Sequence, residues 1–305
     1  MTILLTGGAG MLGKAIAASL EKRNISFVAP TRKDLDLRNY VAVRDYLNNN
    51  KVSRVIHCAA KVGGIKANIE NPGDFILDNL QIDSSVFKSS LDNNISELLY
   101  MSSSCTYPIN SKQPFKESDL DFGIFEETNK NYAIAKMTSL ESISAVNEQY
   151  DTNYKSLILS NLYGPNDNFF DENSHLVSAA LKKCHEAKLK GSNTVEIWGS
   201  GKPRREFTFV TDVAEWISEK LANLKEFPER LNIGLGCDNS VKEFYEFAAE
   251  AVGYEGEFEF NTNMPDGIFS KLMDSSIASS KFDWSPTTSV AEGMELTYKW
   301  WKGTL

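Results

Sequence analysis

The sequence predicts an α/β protein built on a doubly wound parallel sheet, with a smaller substrate-binding region in its C-terminal half. Three observations predict it. A short apolar run, Thr2 to Thr6, leads into a glycine turn, Gly7-Gly8-Ala9-Gly10-Met11-Leu12-Gly13, and then a helical pattern through Arg23. Further apolar runs at 26–29, 54–60 and 97–101 alternate with helical segments, one spanning 72–93 and one carrying Tyr132. After Tyr163-Gly164-Pro165 the periodicity loosens. We therefore divide the chain into a nucleotide-binding part over 1–165 and a mainly substrate-binding part over 166–305, whose strands also complete the sheet. Such a sheet is covered by helices on both faces and takes its ligands at the carboxyl ends of its strands. The helical pattern over 289–301 reads as a closing element.

Bulk composition narrows the function. With 305 residues, 42% hydrophobic and 24% charged, the chain has ample material for a core. Apolar runs such as 55–60 break within a few residues, so no membrane span is expected. Residues 1–6 already read as a strand, which leaves no room for a signal peptide and points to the cytoplasm. A net charge of -9 argues against nucleic acid as a partner. The four cysteines and three histidines lack metal-ligand spacing, so no metal site is expected. His57, inside a strand, reads as a packed core residue.

Gly7, Gly10 and Gly13 follow the spacing of a dinucleotide loop, in which glycine permits a tight turn and lets backbone approach a pyrophosphate at a helix N-terminus. Gly8, Met11 and Leu12 complete it. Where NAD-specific folds place an acidic residue, this chain has Arg32 and Lys33, and a cation there suits the 2′-phosphate of NADP. NADP(H) is the expected cofactor, with Asp36 and Leu37 closing over its adenine. Downstream, Ser102-Ser103-Ser104-Cys105 falls at a strand end. Tyr132 and Lys136 are four residues apart, hence on one helix face. A nearby cation is expected to lower the phenol's pKa toward neutrality and let it exchange a proton with a carbonyl oxygen, as hydride transfer requires.

This glycine loop, Ser103, Tyr132 and Lys136, in that order, resemble the extended short-chain dehydrogenase/reductases, whose sheet is of Rossmann type. Longer motifs narrow the resemblance. Residues 59–65 (AAKVGGI) with Ala67-Asn68, 103–108 (SSCTYP), 132–136 (YAIAK), 161–169 (NLYGPNDNF), Asn173-Ser174-His175 and 198–201 (WGSG) resemble the GDP-L-fucose synthase family along the whole chain. The resemblance implies a two-stage reaction on a GDP-4-keto-6-deoxyhexose. Cys105 and His175 would invert C3 and C5, either one serving as base, while Tyr132 and Ser103 steady the C4 oxyanion, with Ser104 as a rival hydroxyl. NADPH would then reduce C4, Tyr132 giving the proton and Lys136 holding the ribose. Ser102, Asn161, Leu162 and His175 would also touch the cofactor, with 159–162 on the nicotinamide side.

An acidic protein that binds a diphosphate must gather cations locally, and Lys183, Arg204, Arg205 and Lys271 are the candidates. The resemblance selects Lys183 and Arg205 for the diphosphate, Trp198 and Asn161 near the sugar-nucleotide, and Asp266 with Lys271 at the nucleotide end. Lys183 stands where the family usually has arginine. Ala9 stands where many relatives carry a cation, so the NADP reading rests on Arg32. A homodimer through helices flanking the sheet is also implied. The alternatives are a sister enzyme of the GDP-colitose or GDP-6-deoxyheptose pathways, an NAD-retaining epimerase or dehydratase, and a non-enzymatic NADP-binding regulator.

Overall fold

Alternation along β1 (Thr2–Thr6) sends Ile3 and Leu5 to one face of the sheet and Leu4 to the other, and all three are buried. A strand buried on both sides needs cover on both sides. The computed structural model describes residues 2–169, 174–264 and 266–305 and supplies that cover. After β1 come α1 (Met11–Lys22), β2 (Phe27–Val28), α2 (Tyr40–Asn49), β3 (Val52–His57), α3 (Ile65–Glu70), α4 (Pro72–Asp92), β4 (Glu97–Ser103), α5 (Lys130–Tyr150) and β5 (Asn153–Leu159). The expected strand–helix order is present, but several ends differ. β2 keeps only two of the four expected residues, β3 starts and stops earlier, and β4 continues through Ser102 and Ser103 because both pair with β5.

The later half supplies β6 (Asn161–Tyr163), α6 (Leu176–Lys190), β7 (Thr194–Trp198), β8 (Arg204–Arg205), β9 (Phe207–Phe209), α7 (Val210–Lys220), β10 (Arg230–Ile233), β11 (Asn239–Ser240), α8 (Val241–Val252), β12 (Glu257–Asn261), α9 (Ser276–Phe282) and α10 (Val290–Lys302). β10 joins the main sheet beside β5, giving six parallel strands in the order β10-β5-β4-β3-β1-β2.

The strand order reverses between β1 and β3, and in such sheets ligands bind at the carboxyl ends beside that reversal. There Gly7 adopts φ +69°, and a Cβ on it would sit 2.8 Å from the Ala59 amide nitrogen. Only glycine fits. Two apolar cores lie on opposite faces of the sheet, one drawing on α2, α4 and α5, the other on α1 and α7. A third is built from α6, α8 and α10 with β7 and β9. Short two-stranded ladders, β7 with β12, β8 with β11 and β6 with β9, lie outside the main sheet.

Candidate active site

α5 presents Tyr132 and Lys136 one turn apart, beside the end of β4. Lys136 is 2% exposed. Its Nζ donates to the Met101 carbonyl at 3.0 Å and lies 4.3 Å from the Tyr100 ring centroid and 5.9 Å from that of Tyr132. Tyr132 packs edge-on to Phe75. The expected acidification of the phenol is not found. Burial drives its pKa well above the usual value, and the Cys105 thiol and Asp83 carboxylate add to the rise. The physical reason is that the lysine is buried too, which lowers its own pKa, and its charge is answered by Asp83. Tyr132 is thus kept protonated, the form that can donate to a carbonyl oxygen.

Ser103 ends β4 half-buried, and its Oγ accepts from the Cys105 amide at 3.3 Å. The chain then tightens into a 3₁₀ turn, Ser104–Thr106, closed by Thr106 Oγ1 donating to the Ser103 carbonyl at 2.7 Å. That turn buries both Ser104 and Cys105. Burial raises the Cys105 thiol's pKa, while Lys271, Ser103 and Lys136 pull it down. Lys271 is half-buried and acts electrostatically on Arg205 as well as on Cys105, so its charge reaches the turn after β4.

The glycine loop fits a dinucleotide. A Cβ at Gly13 would collide with the Gly7 carbonyl, and one at Gly8 would press on Ala29. α1 starts after Gly10 with no side-chain cap and no acidic residue in its first turn, so the first amides, at Met11 and Leu12, are placed for an anion. Ser102 Oγ is buried without a hydrogen-bond partner at the end of β4. Arg32 is exposed. Asp36 is committed to Arg38, a residue the sequence reading did not single out, by hydrogen bonds of 2.9 and 3.0 Å that hold its carboxyl at about 2. Leu37 packs on the core beside α2.

The residues expected to recognise the nucleotide sugar sit on the short ladders, their loops and α6. Asn161 Nδ2 donates to the Glu206 carbonyl at 3.1 Å, and Leu162 packs toward the α1 side of the sheet. Lys183 Nζ donates to the Glu196 carbonyl at 2.9 Å and lies 5.2 Å from the Trp198 ring. Trp198 is 56% exposed. The two arginines of β8 differ. Arg204 is engaged by Asp238 at 2.8 Å and Glu243 at 3.4 Å. Arg205 donates to the carbonyls of Arg204, Ile268 and Asp266, and no carboxylate lies within ion-pair distance of it among the described residues. Asp266 accepts from the Ser200 amide at 2.6 Å and hydroxyl at 2.8 Å, which fixes the turn after Trp198.

His175 caps α6 and is exposed, while Asn173 of the same motif lies outside the described residues. The imidazole acts on Asp167, a buried carboxyl whose pKa burial raises and His175 lowers. Sequence reading also missed Glu206 and Asp83. Glu206 is 1% exposed and clamps two loops, accepting from Gly236 N at 2.8 Å and Met273 N at 3.0 Å. Burial pushes its carboxyl up to about 7. Its only local signal was a carboxylate directly between Arg204-Arg205 and the stretch Phe207-Thr208-Phe209-Val210. For Asp83 it was the i, i+4 pair with Asn79 on the apolar face of α4. Among the described residues there is no cluster fit to hold a metal ion, and no helix is long and apolar enough to cross a membrane.

A Rossmann-type sheet with a dinucleotide loop and a serine, tyrosine and lysine at its carboxyl edge defines a nucleotide-dependent oxidoreductase or epimerase class. Residues 3–234 match the NAD dependent epimerase/dehydratase family, and the chain belongs to it. It is 40% identical to the GDP-L-fucose synthase of Azorhizobium caulinodans over 98% of this chain and 96% of that protein. It is 39% identical to the GDP-L-colitose synthase of Yersinia pseudotuberculosis, over 97% and 96% respectively. Among solved structures it resembles a GDP-mannoheptose C4 reductase from Campylobacter jejuni with NADP bound, with TM-score 0.90 and 32% identity, covering 99% of this chain and 98% of that one.

Proposed function

We propose that the protein is an NADPH-dependent epimerase-reductase that converts GDP-4-keto-6-deoxy-D-mannose to GDP-L-fucose. The observation that carries this reading is the thiol of Cys105, held by the turn after Ser103 in electrostatic reach of Tyr132, Lys136 and Lys271. A reductase that only moves hydride needs Ser103, Tyr132 and Lys136. An acid–base thiol beside them suits proton exchange next to a ketone. Likeness to a GDP-L-fucose synthase over nearly the full chain supports the same reading.

Bound NADPH supplies hydride to C4. Around that event, Tyr132 delivers a proton to the C4 oxygen from its protonated phenol, and half-buried Ser103, rather than the buried Ser104, steadies that oxygen. Lys136 has donors beyond the one given to Met101 with which to hold the ribose. Gly7, Gly10 and the first amides of α1 take the pyrophosphate, and Arg32 takes the 2′-phosphate. In the epimerisation stage Cys105 and His175 work as an acid–base pair. Arg205 and Lys183, neither paired with a carboxylate among the described residues, meet the GDP diphosphate, with Trp198, Asp266 and Asn161 around the nucleotide sugar.

Incubating the protein with GDP-4-keto-6-deoxymannose, and with NADPH or NADH in parallel, tests this. NADPH oxidation with GDP-L-fucose identified by NMR is the expected result. NADPH binding without turnover would favour the second reading, a sister enzyme on another GDP-4-keto sugar. The near-equal identity to a GDP-L-colitose synthase and the lysine at position 183 favour that one among the alternatives.

We also propose a cytoplasmic homodimer. Free cysteines throughout suit a reducing compartment. An apolar groove between the outer faces of α4 and α5, lined by Leu77, Leu80, Val146 and Tyr150, suits a second copy, and Leu77 is 67% exposed. Sedimentation should find a dimer that Leu77→Asp weakens.

A further inference from the structure

Behind Lys136 a buried polar chain runs from the glycine loop to the catalytic helix. The Ala59 amide donates to Thr6 Oγ1 at 3.1 Å, and Thr6 Oγ1 lies 2.7 Å from His57 Nδ1. Nε2 faces a carboxylate oxygen, which can only accept, so the ring carries a hydrogen there. Nε2 donates to Asp83 Oδ1 at 3.0 Å. The other carboxylate oxygen, Oδ2, accepts from the Tyr100 hydroxyl at 2.5 Å and from Ser139 Oγ at 2.7 Å. Asp83, His57, Tyr100 and Ser139 are all at least 98% buried. Three donors converge on one carboxylate, the pattern that favours its ionised form.

A buried carboxylate needs a counter-charge. The Lys136 ammonium stands 4.3 Å from the ring centroid of Tyr100, whose hydroxyl Asp83 holds. The other titratable groups acting on Lys136 are Cys58 beyond β3, Cys105 in the turn after β4, Tyr100 of β4 and Tyr132 of its own helix. Burial keeps all four protonated, with Cys58 pushed up to about 12. Asp83 is the anionic group among them.

We propose that Asp83 is a positioning residue for the proton-transfer site: it is the buried counter-charge that keeps Lys136 an ammonium, and through Tyr100 it anchors the aromatic floor on which that ammonium rests. The role rests on the epimerase-reductase reading only in giving Lys136 a task in hydride transfer. The charge pairing itself does not depend on the substrate. Through His57 and Thr6 the same carboxylate is tied to the strand end before Gly7, so the cofactor loop and the catalytic lysine share one support.

The test is direct titration of Lys136 in protein carrying ¹³Cε-lysine, its resonance assigned by its loss in Lys136→Met. Removing a negative charge beside a cation lowers the cation's pKa. Asp83→Asn should therefore move the Lys136 titration down by at least about one pH unit. The alkaline limb of NADPH-dependent turnover should move with it. Tyr100→Phe, which keeps the carboxylate, should lower kcat and leave the titration within a few tenths of a unit. An unchanged Lys136 titration in folded Asp83→Asn would overturn the proposal. If that variant does not fold, the carboxyl ¹³C shift of Asp83 in the unaltered protein decides: an ionised carboxylate at neutral pH supports the pairing, and a protonated one overturns it. Absence of turnover by the unaltered protein on every GDP-keto sugar, with the Lys136 titration shifted as expected in Asp83→Asn, would refute the substrate reading and leave this one intact.

Discussion

The end proposed for proton transfer and the end proposed for nucleotide recognition are held by different means. Tyr132 and Lys136 stand on a long helix packed against six parallel strands, and the charges there are buried and answered by buried partners. Lys183, Trp198, Arg205 and Asp266 stand on two- to five-residue strands, helix surface and loops, and their polar atoms are held largely by backbone groups. The contrast suits the tasks proposed for them. A proton donor needs a fixed distance and a fixed protonation state, which burial in a sheet supplies. A diphosphate needs cations that are not already neutralised, and carbonyl partners hold a guanidinium in place while leaving its charge available.

The comparison can be broken most severely at its buried end. Tyr132→Phe keeps the ring against Phe75 and removes the donated proton, so kcat should fall by about 10²–10⁴-fold with NADPH affinity unchanged. Stopped-flow reduction beside fluorescence titration of NADPH checks both halves. A variant with normal kcat would remove the phenol from the mechanism.

Glu206 joins the two ends, since it clamps the 236 loop and the 273 loop beside Arg205. Its carboxyl is raised from an ordinary 4.5 to about 7, so the folded protein binds a proton there that the unfolded chain has released. This stabilising contribution is full below pH 4.5 and lost as pH rises through 7, on the order of 3 kcal/mol in all. Glu206→Gln should flatten that part of the stability profile. Denaturant midpoints at pH 5 and pH 7.5 for both proteins measure it.

At the recognition end, Arg205→Ala should raise KM for the GDP-sugar by about 10–100-fold with kcat nearly kept, as expected for a charge-assisted hydrogen bond. Arg204→Ala should leave KM within about threefold, because that guanidinium is already engaged by Asp238 and Glu243. Equal KM effects at the two positions would erase the distinction between a free cation and a paired one. At the cofactor end an effect of intermediate size is expected at Arg32. Its replacement by alanine should weaken NADPH by about tenfold and leave NADH unchanged, which steady-state kinetics with both cofactors reads directly.

How far the sequence could be read differs between these ends in the same way. β1, the glycine loop and α1 were legible because apolar alternation and glycine spacing are local properties. Tyr132 and Lys136 were legible because four residues on a helix define one face. For Arg204 and Arg205, adjacent in sequence, the family resemblance selected Arg205, but no local pattern showed that Arg204 is the one with carboxylate partners. That depended on Asp238 and Glu243, which a later loop and helix bring to β8.

The sequence by itself determined the strand–turn–helix start, the parallel α/β class and the order of the serine, cysteine, tyrosine and lysine proposed for catalysis, since each lies in short-range periodicity or a contiguous motif. The tertiary structure alone decided which later strand completes the sheet, β10 beside β5, and that Lys271 acts on Cys105. It alone decided that Asp83 answers Lys136, that Glu206 is proton-loaded near neutrality, and that the Tyr132 phenol is raised rather than lowered. The physical reason is common to all of these. Burial and charge pairing depend on which groups share a small volume of low dielectric, and that is set by contacts between residues far apart in the chain.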